Sequence, residues 1–357
     1  MLSRLSRVAS HIKPTTTTTT TIRGIGTGIG TRSTGYQAKM ATYQTDTSSY
    51  KLNHTMLRVK NPIESLKFYS ENFGLSLINK LSFPEAKFDL FFLAYNDSVK
   101  SESKDNHWSD REGVLELTHN YGTENDPNYK VCNGNSDPGR GFGHICISVD
   151  NLQAACARLE KSGVPFQKKL SDGRMKHIAF ALDPDGYWVE IIGMKDSKPE
   201  ATTTDLSTYR FNHTMIRVKD KDASLEFYTS RMGMSLLRTH ESPENKFNLY
   251  FLGYRREEEK TKDVEAAQLA GREGLLELTW NYGTESDPNF SYHNGNTEPQ
   301  GFGHICVAVD KLEDACQRFE DLNVNWKKRL TDGRMKNVAF IQDPDGYWVE
   351  IIQKGSM

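Results

Sequence analysis

Four histidine–glutamate pairs recur along the chain: His54 with Glu116, His144 with Glu190, His213 with Glu277, and His304 with Glu350. Each histidine lies in the apolar run that opens a repeated unit, and each glutamate in the run that closes it. Imidazole nitrogen and carboxylate oxygen both suit a borderline divalent ion such as zinc. Strands hold such ligands in a rigid ladder. Two pairs supply four protein ligands, so the eight residues are enough for two metals. Separately satisfied polar residues in a β core would account for one such pair. They do not account for the same pairing at equivalent places in four units. Duplication copies an inert residue between halves, but it does not explain why both units of one half share the pattern. His119 is the contrast: its counterpart is Trp280, so it belongs to no doubled site.

Side chains at i, i+2 and i+4 of a strand share a face. His54, Met56 and Arg58 therefore look the same way, as do His213, Met215 and Arg217. Glu116, Thr118 and Asn120 align likewise, and so do Glu277, Thr279 and Asn281. Arginine is suited to gripping a carboxylate through two parallel hydrogen bonds. Metal, carboxylate clamp and amide donors together fit a small, polar, anionic ligand whose carboxylates lie away from the reacting centre. The plainer reading of Arg58 is a surface arginine paired with a structural acid.

The elements that must position these residues come in tandem. "NHTM" stands at 53–56 and 212–215, "GFGHIC" at 141–146 and 301–306, "DGRMK" at 172–176 and 332–336, and "DPDGYWVEII" at 183–192 and 343–352. Two domains of nearly equal length follow, 50–194 and 209–354, with a polar linker at 195–208. Within 52–120, "LNHTMLRVK", "FDLFFLAY" and "GVLELT" read as strands. "NPIESLKFYSENFG" reads as a helix with Asn61 as N-cap, Pro62 at the first position and Gly74 past the end. Within 141–193, "GHICISV", "HIAFAL" and "YWVEII" are strands. "DNLQAACARLEKSG" is a helix capped by Asp150 and closed by Gly163. The pattern is β-α-β-β-β, four times over. Residues 96–112 and 255–273 are charged and weakly patterned, and read as surface loops or arms.

The chain has 357 residues, 36% of them apolar and 26% charged, with a net charge of −2. No apolar run approaches the ~18 residues of a membrane span. The overall charge balance argues against a nucleic-acid partner that depends on global charge. Residues 1–45 stand apart: they hold Arg4, Arg7, Lys13, Arg23, Arg32 and Lys39 and no acid. With a threonine run from Thr15 to Thr21, this segment reads as a mitochondrial transit peptide. Initiation at Met40 would give a cytosolic form. The alternating glycines from Gly24 to Gly30 do not make a dinucleotide loop. Cys132, Cys146, Cys156, Cys306 and Cys316 are odd in number and form no C-x-x-C pair, against a disulfide scaffold.

The motifs resemble those of the glyoxalase I (lactoylglutathione lyase) family in its fused two-domain eukaryotic form. "NHTMLRVK" with "NHTMIRVK", "LELTHNYGTE" with "LELTWNYGTE", and the doubled "GFGHIC" and "DPDGYWVEII" carry the resemblance over about 50–353. It implies an α+β fold of the vicinal-oxygen-chelate type, built from paired β-α-β-β-β modules. It implies Zn2+, or Ni2+ or another divalent ion, at two sites per chain. One site would take His54, Glu116, His304 and Glu350, and the other His213, Glu277, His144 and Glu190. The residues alone leave open whether each metal lies within one half. A monomer would complete both sites between its halves.

The implied substrate is the hemithioacetal of glutathione and methylglyoxal. The implied reaction is its isomerisation to S-lactoylglutathione by proton transfer through an enediolate, in methylglyoxal detoxification. Glu190 and Glu350 would be the principal bases. Glu116 and Glu277 would serve as ligands and as bases for the opposite epimer. Glutathione contacts would fall on Arg58, Asn120, Lys328 and Met335 at the first site. At the second they would fall on Arg217, Asn281, Arg140, Lys168 and Met175. Gln300 replaces Arg140 at the first site, which predicts weaker binding there, by tenfold or more. Phe83 stands opposite Ser242, so the apolar pockets should differ in shape. The competing readings are an iron-dependent extradiol dioxygenase on the same fold and a non-catalytic ligand-binding protein.

Overall fold

The computed structural model describes residues 44–96, 106–173, 175–194, 202–256, 259 and 265–356. The transit-like segment 1–45 lies almost wholly outside the described residues, and so does Met40. Tyr43–Met357 form one compact unit.

The four modules are present. The first has strands β1 (Lys51–Val59), β2 (Ser76–Phe83), β3 (Phe88–Ala94) and β4 (Val114–Asn120), with α1 (Pro62–Phe73) after β1. The second has β5 (Phe142–Val149), α2 (Leu152–Lys161), β6 (Phe166–Lys168), β7 (Ile178–Leu182) and β8 (Trp188–Gly193). The third has β9 (Arg210–Val218), α3 (Lys221–Glu226), β10 (Ser235–Ser242), β11 (Phe247–Gly253) and β12 (Leu275–Asn281), with α4 (Ala266–Ala270) in its arm. The fourth has β13 (Phe302–Val309), α5 (Leu312–Asp321), β14 (Asn325–Lys328), β15 (Val338–Gln342) and β16 (Trp348–Gln353). Among the described residues no helix is long and apolar enough to cross a membrane.

The sheets do not follow the sequence repeats. One eight-stranded sheet runs β2-β3-β4-β1-β13-β16-β15-β14, and the other β10-β11-β12-β9-β5-β8-β7-β6. The first module therefore shares a sheet with the fourth, and the third with the second, through the antiparallel pairs β1·β13 and β5·β9. The helices stay within their own half. Arg158 of α2 donates to the carbonyls of Glu71 and Asn72 at the end of α1, and Arg318 of α5 to those of Ser230 and Arg231 after α3. The halves are units of helix packing, and the sheets bind them to each other.

One face of each sheet packs into the apolar core. Leu57, Val59, Leu115, Leu117, Ile305 and Val307 lie there, essentially inaccessible. The alternate residues of the same strands, His54, Met56 and Glu116, are also buried, on the opposite face. Burial on both faces explains why β1 reads as a continuous buried run rather than an alternation.

Local signals mostly hold. Asn61 caps α1 by accepting from Ile63 N, and Gly74 ends it at φ 76 in the left-handed region. Asp150 does not cap α2. The cap is Asn151, whose side chain accepts from Ala154 N at 3.1 Å. Asp150 instead accepts from Thr204 Oγ1 and from Asp205 N, tying the start of α2 to the linker that leads into β9.

The loops before β5 and β13 cross between the halves. Cys132 N donates to Gln300 O and His293 N to Arg140 O, each at 2.8 Å. At this crossing a Cβ on Gly301 would sit 1.8 Å from Cys132 O, so only glycine fits.

Candidate metal centres

The eight histidines and glutamates fall on the four central strands of each sheet. In the first sheet β4, β1, β13 and β16 bring together Glu116, His54, His304 and Glu350. In the second, β12, β9, β5 and β8 bring together Glu277, His213, His144 and Glu190. Register produces this convergence. On the parallel pair β1·β4, Glu116 stands opposite Met56, and on β13·β16 Glu350 stands opposite Cys306. Each glutamate is thus one pleat period beyond its histidine, and its longer side chain reaches back.

In the first centre His54 Nε2 lies 3.0 Å from an oxygen of Glu116, 3.0 Å from one of Glu350, and 3.2 Å from His304 Nε2. In the second His213 Nε2 lies 3.1 Å from Glu277, 3.2 Å from Glu190 and 3.3 Å from His144 Nε2. The four donor atoms of each set lie within 4.8 Å of one another. Ligand bonds of about 2.0–2.2 Å around a zinc-sized ion place neighbouring donors about 3–3.6 Å apart. Two nitrogens and two oxygens at this spacing fit such an ion.

The charge balance agrees. Burial alone would raise the Glu350 carboxyl, but His304 and His54 outweigh it and hold it well below the usual carboxylate range. Glu190 is held down in the same way by His144 and His213. Burial alone would lower His54, but Cys306, Glu116 and Glu350 outweigh it and raise the imidazole well above its ordinary value. Two buried carboxylates demand positive charge. A divalent cation would supply it, and its binding would compete with protons for the same atoms.

The paired glutamates are not equivalent. Thr118 Oγ1 donates to Glu116 at 2.9 Å and Thr279 Oγ1 to Glu277 at 3.3 Å. The Glu116 and Glu277 side chains are 3% and 5% exposed, against 12% for Glu350 and 10% for Glu190.

Arg58 is buried rather than at the surface. Its Nη1 donates to the carbonyls of Gly295, Gly301 and Phe302, and its Nη2 to Asn296 Oδ1. Arg217 makes the same contacts to Gly134, Gly141, Phe142 and Asn135. Each arginine therefore shapes the loop roofing its own centre, and Nη1 is engaged by main chain. Asn120 and Asn281 end β4 and β12, where they bond the hydroxyls of Tyr129 and Tyr292. Lys328 Nζ donates to Met335 O and Val338 O, and Lys168 Nζ to Met175 O and Ile178 O. Met335 and Met175 are about half exposed. Arg140 is half exposed and lies near Asp137 at 3.4 Å.

Sequence reasoning missed Tyr129, Tyr292 and Glu298, whose charge acts on Arg58 and Tyr129. It also missed Asn53 and Asn212, although both stand in the doubled "NHTM".

The family model described as Glyoxalase/Bleomycin resistance protein/Dioxygenase superfamily matches residues 51–191 and 210–351. The chain is 51% identical to "Lactoylglutathione lyase" of Schizosaccharomyces pombe, over 87% of this chain and 98% of that one. It is 50% identical to "Glyoxalase I" of Saccharomyces cerevisiae, over 85% and 92%. The crystal structure of glyoxalase I from Zea mays aligns with a TM-score of 0.60 at 26% identity, covering 85% of this chain and 92% of that one. With both sequence repeats matched, both sheets built on paired modules and both His/Glu centres in place, the chain belongs to the Glyoxalase/Bleomycin resistance protein/Dioxygenase superfamily.

Proposed function

We infer that the chain is a lactoylglutathione lyase, isomerising the hemithioacetal of glutathione and methylglyoxal to S-lactoylglutathione. The observation that carries the reading is the pair of His2Glu2 centres in a chain half identical to relatives of that name over nearly their whole length. Four donors per centre also speak against an iron dioxygenase, which keeps two histidines and one carboxylate and leaves the other positions open.

A divalent ion held by each set would stabilise the negative charge that develops on the substrate's two oxygens, a contribution of several kcal/mol in such sites. Zinc is the ion we propose, from the mixed nitrogen and oxygen donors. The reaction moves a proton from the carbon bearing sulfur to the neighbouring carbon. A positioned carboxylate typically contributes about 10²–10⁴-fold to such a transfer. Glu350 and Glu190 suit that role, because they are the more open glutamate of each pair. Glu116 and Glu277, strapped by threonine hydroxyls, suit the role of fixed ligands. Arg58, Asn120, Lys328 and Met335 are assigned to glutathione at the first centre. Arg217, Asn281, Arg140, Lys168 and Met175 are assigned to it at the second. Each centre draws two ligands from each half, so a single chain holds both complete sets. The acid-free N-terminal segment is proposed to direct the protein to mitochondria, which a fusion of residues 1–45 to a reporter would test.

The test is thioester formation from glutathione and methylglyoxal by the unmodified protein and by the doubly substituted Glu190→Gln, Glu350→Gln. Activity in the first and at least ~100-fold less in the second is expected. An inactive unmodified protein would sink the reading.

A further inference from the structure

One histidine of each centre is faced by the asparagine that precedes it in sequence, a contact the reaction above does not use. His54 Nδ1 donates to Asn53 Oδ1 at 2.7 Å, and Asn53 Nδ2 donates to the carbonyls of Trp108 and Arg111 at 2.9 and 2.8 Å. In the other half His213 Nδ1 donates to Asn212 Oδ1 at 2.8 Å, and Asn212 Nδ2 donates to Leu269 O and Arg272 O at 2.7 and 2.8 Å. Both amides are buried, at 0% and 2% exposure.

The two carbonyls give each amide one orientation. Reversing it would set Oδ1 against two acceptor oxygens in a dry interior. Because Oδ1 carries no hydrogen, the proton shared with the histidine belongs to Nδ1. The neutral imidazole then keeps its lone pair on Nε2, the atom aimed at the other three ligands.

The backbone is arranged for this contact. Adjacent residues of a regular strand point to opposite faces. Here the β1·β13 register shifts between Leu52 and His54, and the β5·β9 register shifts opposite Phe211 and His213, leaving each asparagine as the extra residue of a bulge. The two arms differ in sequence, "WSDR" at 108–111 against "LAGR" at 269–272. Both nevertheless deliver a carbonyl pair three residues apart to the same amide nitrogen.

We propose that Asn53 and Asn212 are positioning residues for the two metal centres. Each sets the tautomer and aim of one ligating histidine and ties that ligand to the arm between the third and fourth strands of its module. The proposal rests on the metal reading. Mutation of such outer partners typically costs about 10–100-fold in metal affinity.

The experiment is zinc competition against a chromophoric chelator, on the full chain and on Asn53→Ala and Asn212→Ala. The unmodified protein should bind two zinc ions. Asn53→Ala should weaken one of the two by about 10–100-fold and leave the other. Asn212→Ala should weaken the other site in turn. Unchanged affinity in both alanine variants would overturn the proposal. So would equal weakening of both sites with a lower melting temperature of the metal-free protein. An unmodified protein that binds no zinc would instead defeat the metal reading itself.

Discussion

The first and second centres share ligands, strands and supporting contacts, yet their roofs differ. Over the second centre, Arg140 lies close enough for its charge to act on Arg217 and Tyr292. Over the first, Gln300 takes its place, and the carboxylate of Glu298 acts on Arg58 and Tyr129. The wall differs as well: Trp108 packs on Phe92 at 4.2 Å beside His54, where the other half has Leu269 near Phe251. The difference shows what duplication holds fixed. Ligands sit on strands locked by ladder bonds on both sides. The roofing loops are pinned by main chain, through Cys132 N to Gln300 O and His293 N to Arg140 O. A side chain there changes without loosening the backbone, so charge diverges where geometry does not.

The widest test of this comparison is removal of metal. Chelation should abolish activity, and reconstitution should fill both centres with zinc affinities within about threefold of each other, because the donor sets match. Affinity at both should fall as pH is lowered. His54 and His213 are held well above the ordinary imidazole range, and each must give up its Nε2 proton to bind an ion. Both shifts are upward, so proton competition sets in at a higher pH than for an ordinary imidazole. A pH series of chelator competition reads the slope. Markedly unequal metal affinities would place the asymmetry in the ligands rather than the loops.

Next in size is the separation of the two bases. If the second centre carries most turnover at low substrate, Glu190→Gln should leave a tenth of kcat/KM or less. Glu350→Gln should leave most of it. Equal losses would show that the roofs do not discriminate.

The four modules and the eight candidate ligands were legible because they repeat, and repetition separates a doubled His304 from a single His119. Which modules share a sheet was not legible from the residues. The edges of β1, β5, β9 and β13 are alike, and local pattern does not say which of them pair. The resemblance, not the residues, supplied the crossing. Asn53 escaped because alternation puts it on the wrong face, and the bulge that turns it toward His54 leaves no local mark in the sequence. Arg58 was legible as a neighbour of His54 on one strand. Its attachment to Gly295, Gly301 and Phe302 was not, because main-chain acceptors have no sequence signature. Asp150 and Asn151 are both good caps, and Asp150 is taken up by Thr204 and Asp205 of the linker, contacts that local pattern does not reveal.

Exchanging the roofing charges tests the comparison more finely. Charge-assisted hydrogen bonds contribute about 1.5–3 kcal/mol. Arg140 is about half exposed, so the lower part of that range applies after screening. Arg140→Gln in a Glu350→Gln background should raise KM about 3–10-fold with little change in kcat. Gln300→Arg in a Glu190→Gln background should lower KM by less, because Glu298 would compete for the new charge. A kcat effect without a KM effect would place Arg140 in the chemistry rather than in binding.

The smallest expected effect separates the sheets by their helices. α2, which follows the second centre's β5, is capped by Asn151. α5, which follows the first centre's β13, begins at Lys311, whose backbone has the same extended geometry (φ −136, ψ 105) and whose side chain makes no cap bond. A positive charge there also opposes the helix dipole, although Glu313 and Asp314 in the first turn offset it. Lys311→Asn should therefore add about 0.5–1.5 kcal/mol, and Asn151→Ala should remove about 1 kcal/mol. Denaturant unfolding of the zinc-free protein measures both without interference from metal linkage. If Lys311→Asn gains nothing, its Nζ contact with Gln44 at 3.2 Å already supplies what the missing cap would, and the two helix starts are energetically alike.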